Sequence, residues 1–264
     1  MCVLDPPVVA LATIPLAPLS DLAAYAACVA IVIGFTLLAT FGVLRSLGVA
    51  GVPRLFGLLG TAASAPWNAA VVLGHLSALL LVSPSLALQA WSRSRPVLAG
   101  VGLSLLMAKP NWGLFILVLL MLGRWWRVVT GFLAGGAVLA LSSLILGPGL
   151  WADWARTMVG YQSYVFDRIE PWKQATLFAS LQSVLRRPAS DSFVQAVWIA
   201  ACVPLVGGTV LVWWRHRLRN DLFPRLVGMA LLAALVANPY AFFYDAVLLV
   251  PIGVIAWTRR DLYH

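Results

Sequence analysis

Apolar residues in this chain neither alternate nor recur at every third or fourth position. They run on in long blocks that stop at arginines. The first block, Asp21 to Leu44, ends at Arg45. Arg54 opens the second, Leu55 to Trp91, which is broken at Pro66-Trp67-Asn68 and closed by Arg93 and Arg95. The third, Pro96 to Gly123, is interrupted at Lys109-Pro110-Asn111 and followed by Arg124 and Arg127. Val128 to Leu146 comes next. After a mixed stretch, Ser192 to Trp214 ends at Arg215, His216, Arg217, Arg219 and Arg225. A last pair, Leu226 to Ala237 and Phe242 to Trp257, turns at Asn238-Pro239-Tyr240 and closes at Arg259-Arg260. Continuous apolar blocks predict membrane helices, about 20 residues being needed to cross a hydrocarbon core of about 30 Å. A membrane β-barrel would alternate over segments of about ten residues, and these blocks do not. The expected fold is all-α: a single polytopic transmembrane domain over residues 1–264, with eight or nine hydrophobic helices, several too short to span.

The arginines orient that bundle. Positive residues in short loops stay on the cytoplasmic side, which puts the turns at 45–54, 93–95, 124–127, 215–225 and 259–260 inside. Every interrupted or polar-bearing turn then falls outside: Pro66 to Asn68, Lys109 to Asn111, Gly147 to Asp191 and Asn238 to Asp245. Irregular backbone at membrane depth persists only where protein or water satisfies its polar groups, so four such places facing one way imply one outward cavity. The Lys109 block admits two paths. Each half is a helix only about 20 Å long at 1.5 Å per residue, so it is either a short hairpin with Lys109 at its apex, all four flanking arginines on one side, or one kinked span. In Gly147 to Asp191, Trp151, Trp154, Tyr161, Tyr164 and Trp172 are mixed with charges. That mixture predicts an extracytoplasmic amphipathic segment at the headgroup level.

Composition agrees with this class and narrows the chemistry. The chain is 62% hydrophobic and 10% charged, with a mean hydropathy of +0.93. A net charge of +9 suggests nucleic acid only until its location is considered, because most of it lies in the inner turns. Cys2, Cys28 and Cys202 are odd in number and lie in or beside apolar blocks, which indicates neither a disulfide framework nor a metal cluster. Met1 to Asp5 carries no basic stretch of the signal-peptide kind. Phosphate-cradling glycine loops and paired metal ligands are missing, and no metal or other cofactor is expected. Gly135-Gly136 and Gly207-Gly208 suggest close helix packing.

Candidate site residues follow from the topology. A lysine at membrane depth is a functional-site candidate unless it snorkels to a helix end. Asn111 stands beside it. His75, two turns beyond Asn68, either bonds a polar ligand or is a packed neutral histidine. Asn238, Tyr240 and Asp245 line the last outer turn, with Asp245 placed to pair with Lys109, to orient an acceptor, or simply to face a helix dipole. Asp5 and Asp21 are weak candidates for a catalytic base, and Asp21 reads better as a helix N-cap.

The order of certain short motifs resembles glycosyltransferase family 87, membrane enzymes of the GT-C fold that use polyprenyl-phosphate sugars. The matching pieces are Pro6-Pro7 with Pro15, Gly74-His75, Ala99-Gly100 followed by Lys109-Pro110, Gly147 to Trp154, and Asn238-Pro239 with Tyr244-Asp245. The resemblance covers nearly the whole chain. It implies a hexosyltransferase, mannose being the expected sugar, acting at the outer face of the plasma (inner) membrane on a lipid or glycan acceptor. No nucleic-acid partner is expected, since the basic residues are accounted for by the inner turns. The resemblance also places the family's catalytic aspartate in a first loop that would precede Met1, with Asp5 standing where the family has a tyrosine. A fragment, a misassigned start and a diverged, inactive member are the alternatives that this leaves. The competing functional reading is a non-catalytic transporter or carrier of a lipid-linked or anionic substrate, against which stands the lack of an evident internal repeat.

Overall fold

A computed structural model describes residues 13–72, 80–168, 190–217, 219–238 and 243–258, with isolated helical positions between them. Every regular element among the described residues is a helix: α1 Asp21–Ser46, α2 Gly51–Ala63, α3 Ala65–Val72, α4 Val82–Ser92, α5 Pro96–Ser104, α6 Pro110–Leu122, α7 Trp126–Ser143, α8 Gly149–Arg168, α9 Asp191–Arg215, α10 Phe223–Ala237 and α11 Leu249–Thr258. Short 3-10 turns at Leu105–Ala108 and Phe243–Leu248 lead into α6 and α11. Among the described residues, four segments are long and apolar enough to cross a membrane: Asp21–Ser46, Trp126–Leu146, Ser192–Arg215 and Asn220–Ala237. Many large apolar side chains, such as Leu22, Leu38, Phe56, Val138, Ile145 and Val203, point outward, which is stable only in an apolar surrounding. The chain is an all-α polytopic membrane protein.

Three turns explain why the apolar blocks stop at arginines. After α1 the Val49 N–H donates to the Leu44 carbonyl and Gly48 has φ +77°. After α4 the Arg95 N–H reaches Ala90 across Ser94, and after α6 the Trp125 N–H reaches Leu120 across Arg124, both with φ 57°. Each is a six-residue Schellman closure around one left-handed residue, which satisfies the last carbonyls of a helix. Pro96 then starts α5 at a position where its missing N–H costs nothing. The Pro66-Trp67-Asn68 break lies at Ser64, whose ψ of 136° leaves the helix and bends α2 against α3 by 53°. The Asn68 side-chain amide donates to the carbonyls of Ala62 and Ser64 there, covering groups that the bend exposes.

Helix α5 runs parallel to α7. Gly131 lies against Val97, while Gly135 lies against Val101 and Ser104, so residue numbers rise together on both helices. A Cβ on Gly100 would overlap the Val128 carbonyl, and one on Gly131 the Val97 carbonyl, so the backbones touch at these two glycines. The sequence had pointed instead to Gly135-Gly136 and Gly207-Gly208. Only Gly135 of these packs closely, and Gly136, Gly207 and Gly208 face no described atom. Since α5 and α7 run the same way, α6 between them must run back. The Lys109 block is therefore a hairpin in its path, with Arg93, Arg95, Arg124 and Arg127 at one end, although α6 packs on α7, α9 and α10 rather than along α5.

An aromatic cluster joins the turns at that end. Trp91 stacks on Phe223 with ring centres 4.0 Å apart, and Trp125 lies 5.1 Å from Trp91, 4.9 Å from Phe223 and 6.5 Å from Trp213. The Trp91 indole N–H donates to the Asn220 carbonyl and that of Trp213 to the Leu226 carbonyl. The core continues from this cluster along α6 and α10 through Trp112, Ile116, Leu119, Leu120, Val227, Ala230 and Leu231. Peripheral α9 is mostly exposed, whereas α10 is half-buried.

Candidate functional site

Helix α10 begins at the aromatic cluster, so its far end, Asn238, lies opposite the arginines. Asn238 is buried there, with its N–H donating to the Ala234 carbonyl. The Phe243–Leu248 turn follows and packs against α3 and α10. Lys109 reaches the same end by another route, at the close of the short α5 and its 3-10 turn. Pro110 forces that arrangement. It cannot continue a helix from below, and Lys109 adopts the extended φ −125° and ψ 92° that precedes a proline, while its carbonyl accepts from the N–H groups of Trp112 and Gly113 to begin α6.

The two elements meet in an ion pair. Lys109 Nζ lies 2.6 Å from both Oδ1 and Oδ2 of Asp245. The Asp245 side chain is 0% exposed and that of Lys109 16%. This pair joins positions 136 residues apart and ties the hairpin apex to the last turn of the bundle. A buried carboxylate with a partly open ammonium presents its cation outward. Such a pair is suited to holding an anion at Lys109 while Asp245 fixes the direction of the side chain.

Of the other sequence candidates, Asn111 is exposed on the first turn of α6. Asp21 is exposed and sits inside the first turn of α1. The N-cap expected of it is Ser20, whose extended backbone precedes the helix, because Asp21 already has its backbone in the first turn. His75, Tyr240 and Asp5 lie outside the described residues. Asp245 stands on a 3-10 turn rather than in the last α-helix. Two anchors were not foreseen: the Tyr25 hydroxyl donates to the Val72 carbonyl, binding α1 to α3 at this end, and the Trp151 indole N–H donates to Ser143 Oγ where α8 leaves α7. No group of three or more potential metal ligands occurs among the described residues.

The family whose description matches the chain is glycosyltransferase family 87, over residues 4–257. The chain belongs to that family. It is thus a membrane glycosyltransferase, and the ion pair lies within the matched span. No curated protein and no solved structure matches the chain. In this family 87 chain the Lys-Pro and Tyr-Asp motifs, far apart in sequence, supply the two halves of one contact, Lys109 and Asp245.

Proposed function

We propose that this family 87 glycosyltransferase moves a hexose, mannose by the family resemblance, from a polyprenyl phosphate to a lipid or glycan hydroxyl at the extracytoplasmic face. The observation that carries this reading is the Lys109–Asp245 pair at the end opposite the arginines. The donor is a phosphodiester with one negative charge. When the acceptor oxygen bonds to the sugar carbon, the bond from that carbon to the phosphate oxygen breaks, and its electron pair stays on the phosphate as a second charge. An ammonium in a low-dielectric site stabilises that developing charge. Lys109 has this role, and Asp245 is a positioning residue that holds it. The acceptor proton goes to a carboxylate base, for which Asp5 and Asp21 are the candidates in this chain. Asn111 and Asn238 are assigned to the proposed donor site, and His75 and Tyr240 are further candidates for it from the sequence.

Family membership favours transfer over transport, and Lys109 gives the direct test. Binding of a polyprenyl-phosphate analogue by the purified protein is expected to weaken at least about tenfold in Lys109→Ala, the scale of one lost charge-assisted contact. Sugar transfer from polyprenyl-phosphate mannose in proteoliposomes is expected to fall below detection in the same variant. Unchanged binding and transfer would remove Lys109 from the site.

A further inference from the structure

A groove of about 300 Å³ follows the outside of α4 and α5, lined by Arg93 and Arg95 at one end and by Leu86, Leu98, Val101 and Leu105 along its length. Leu86, Leu98 and Val101 are exposed, so the groove opens to the surrounding membrane. The spacing matches one leaflet: ten residues of helix from Arg95 to Leu105 rise about 15 Å, half of a hydrocarbon core of about 30 Å. At the head of the groove, the turn at Ser94 is fixed by its own backbone hydrogen bonds and carries an exposed arginine on each side. Several other arginines are engaged: Arg54 with the Val49 carbonyl and the Phe41 ring, Arg156 with Asp153, Arg219 with Asp221 and Arg217 over Trp214. Arg93 and Arg95 have no ionic, hydrogen-bonded or ring partner for their side chains among the described residues.

We propose that this groove binds an anionic phospholipid, its phosphate held between Arg93 and Arg95 and one acyl chain lying along Leu98, Val101 and Leu105. Guanidinium groups match phosphate oxygens in geometry as well as charge, and basic pockets between membrane helices select anionic headgroups. A zwitterionic lipid fits the same apolar wall but brings a cation to the two arginines. The charge at the head of the groove therefore sets the preference. The site is separate from the sugar-donor site, which lies beyond the far end of α5, and does not depend on that assignment.

The test is native mass spectrometry of the full chain, purified from micelles holding equal phosphatidylglycerol and phosphatidylcholine. The wild type is expected to retain one phosphatidylglycerol in preference. Arg93→Gln with Arg95→Gln should lower that preference about tenfold or more, in line with the contribution of two arginines near an anionic lipid. Arg124→Gln with Arg127→Gln, which removes the same charge outside the groove, should leave it unchanged. Val101→Trp, which fills the groove and spares both arginines, should lose the lipid and guards against misfolding of the double variant. Equal losses in the two double variants, retention by Val101→Trp, or no preference in the wild type would each overturn the site.

Discussion

Asp245 carries the residue-scale argument, because a fully buried carboxylate survives only with its cation. Removing one partner of a buried pair costs about 3 to 5 kcal/mol, whereas replacing both by apolar groups of similar size is close to neutral. Asp245→Leu is therefore expected to lower stability by about 3 kcal/mol, the partial opening of Lys109 keeping the loss at the low end. Lys109→Met combined with Asp245→Leu should recover most of it. Denaturant titration of the purified protein in mixed micelles measures both changes. The double variant separates structure from chemistry, since it is expected to fold yet fail to bind the polyprenyl-phosphate analogue. A double variant that binds the analogue like wild type would make the pair merely structural. This contact was half legible in the sequence: Lys109 stood out as a charge in an apolar block, but Asp245 had three roles open to it, and only the packing of α10 against α6 decides which neighbour it meets.

At the scale of elements, the helices were legible and their contact faces were not. Arginine and proline mark where most helices end, because the chemistry of turns and of inner loops is local. Which glycine touches a neighbour depends on how two helices cross, and the sequence selected Gly135-Gly136 when the closest approaches are at Gly100 and Gly131. The aromatic cluster was missed for the same reason, although a signal was present: Trp91, Trp125, Trp213 and Phe223 each lie within two residues of an arginine. Gly131→Val is expected to push α7 off α5 and cost about 1 to 3 kcal/mol, the usual penalty of overpacking. Gly136→Ala, five residues on and facing no described atom, should gain about 0.5 to 1 kcal/mol through helix propensity. Thermal unfolding of the two variants in one detergent compares them. Equal effects would show that α5 and α7 are not in contact at Gly131.

For the whole molecule, the geometry sorts the chain into two ends. One carries the arginines of the turns at 45–54, 93–95, 124–127 and 215–225 and the aromatic cluster. The other gathers the Lys109–Asp245 pair, the bent α2–α3 region, Asn238 and the start of α8. The expected orientation puts the second end outside the cell. Ser163→Cys, within α8, is then expected to react with an impermeant maleimide added to intact cells, and Arg217→Cys only after the membrane is opened. The reverse pattern would invert the molecule and move the donor site to the cytoplasm. The two-ended arrangement was the most legible property of all, because charge bias is written directly in the order of residues.

The distance along the chain between Lys109 and Asp245 also has a consequence for biosynthesis. The ammonium is made 136 residues before its counter-ion. At about 5 to 20 residues per second that interval lasts about 7 to 27 s. Throughout it, the short α5–α6 hairpin carries an uncompensated charge at membrane depth. Neither half is long enough to hold the bilayer alone, so the nascent hairpin depends on the insertion machinery until the last turn arrives. A ribosome stalled before residue 245 should leave Lys109 more reactive toward amine-directed reagents than it is in the finished chain, where Asp245 holds the ammonium.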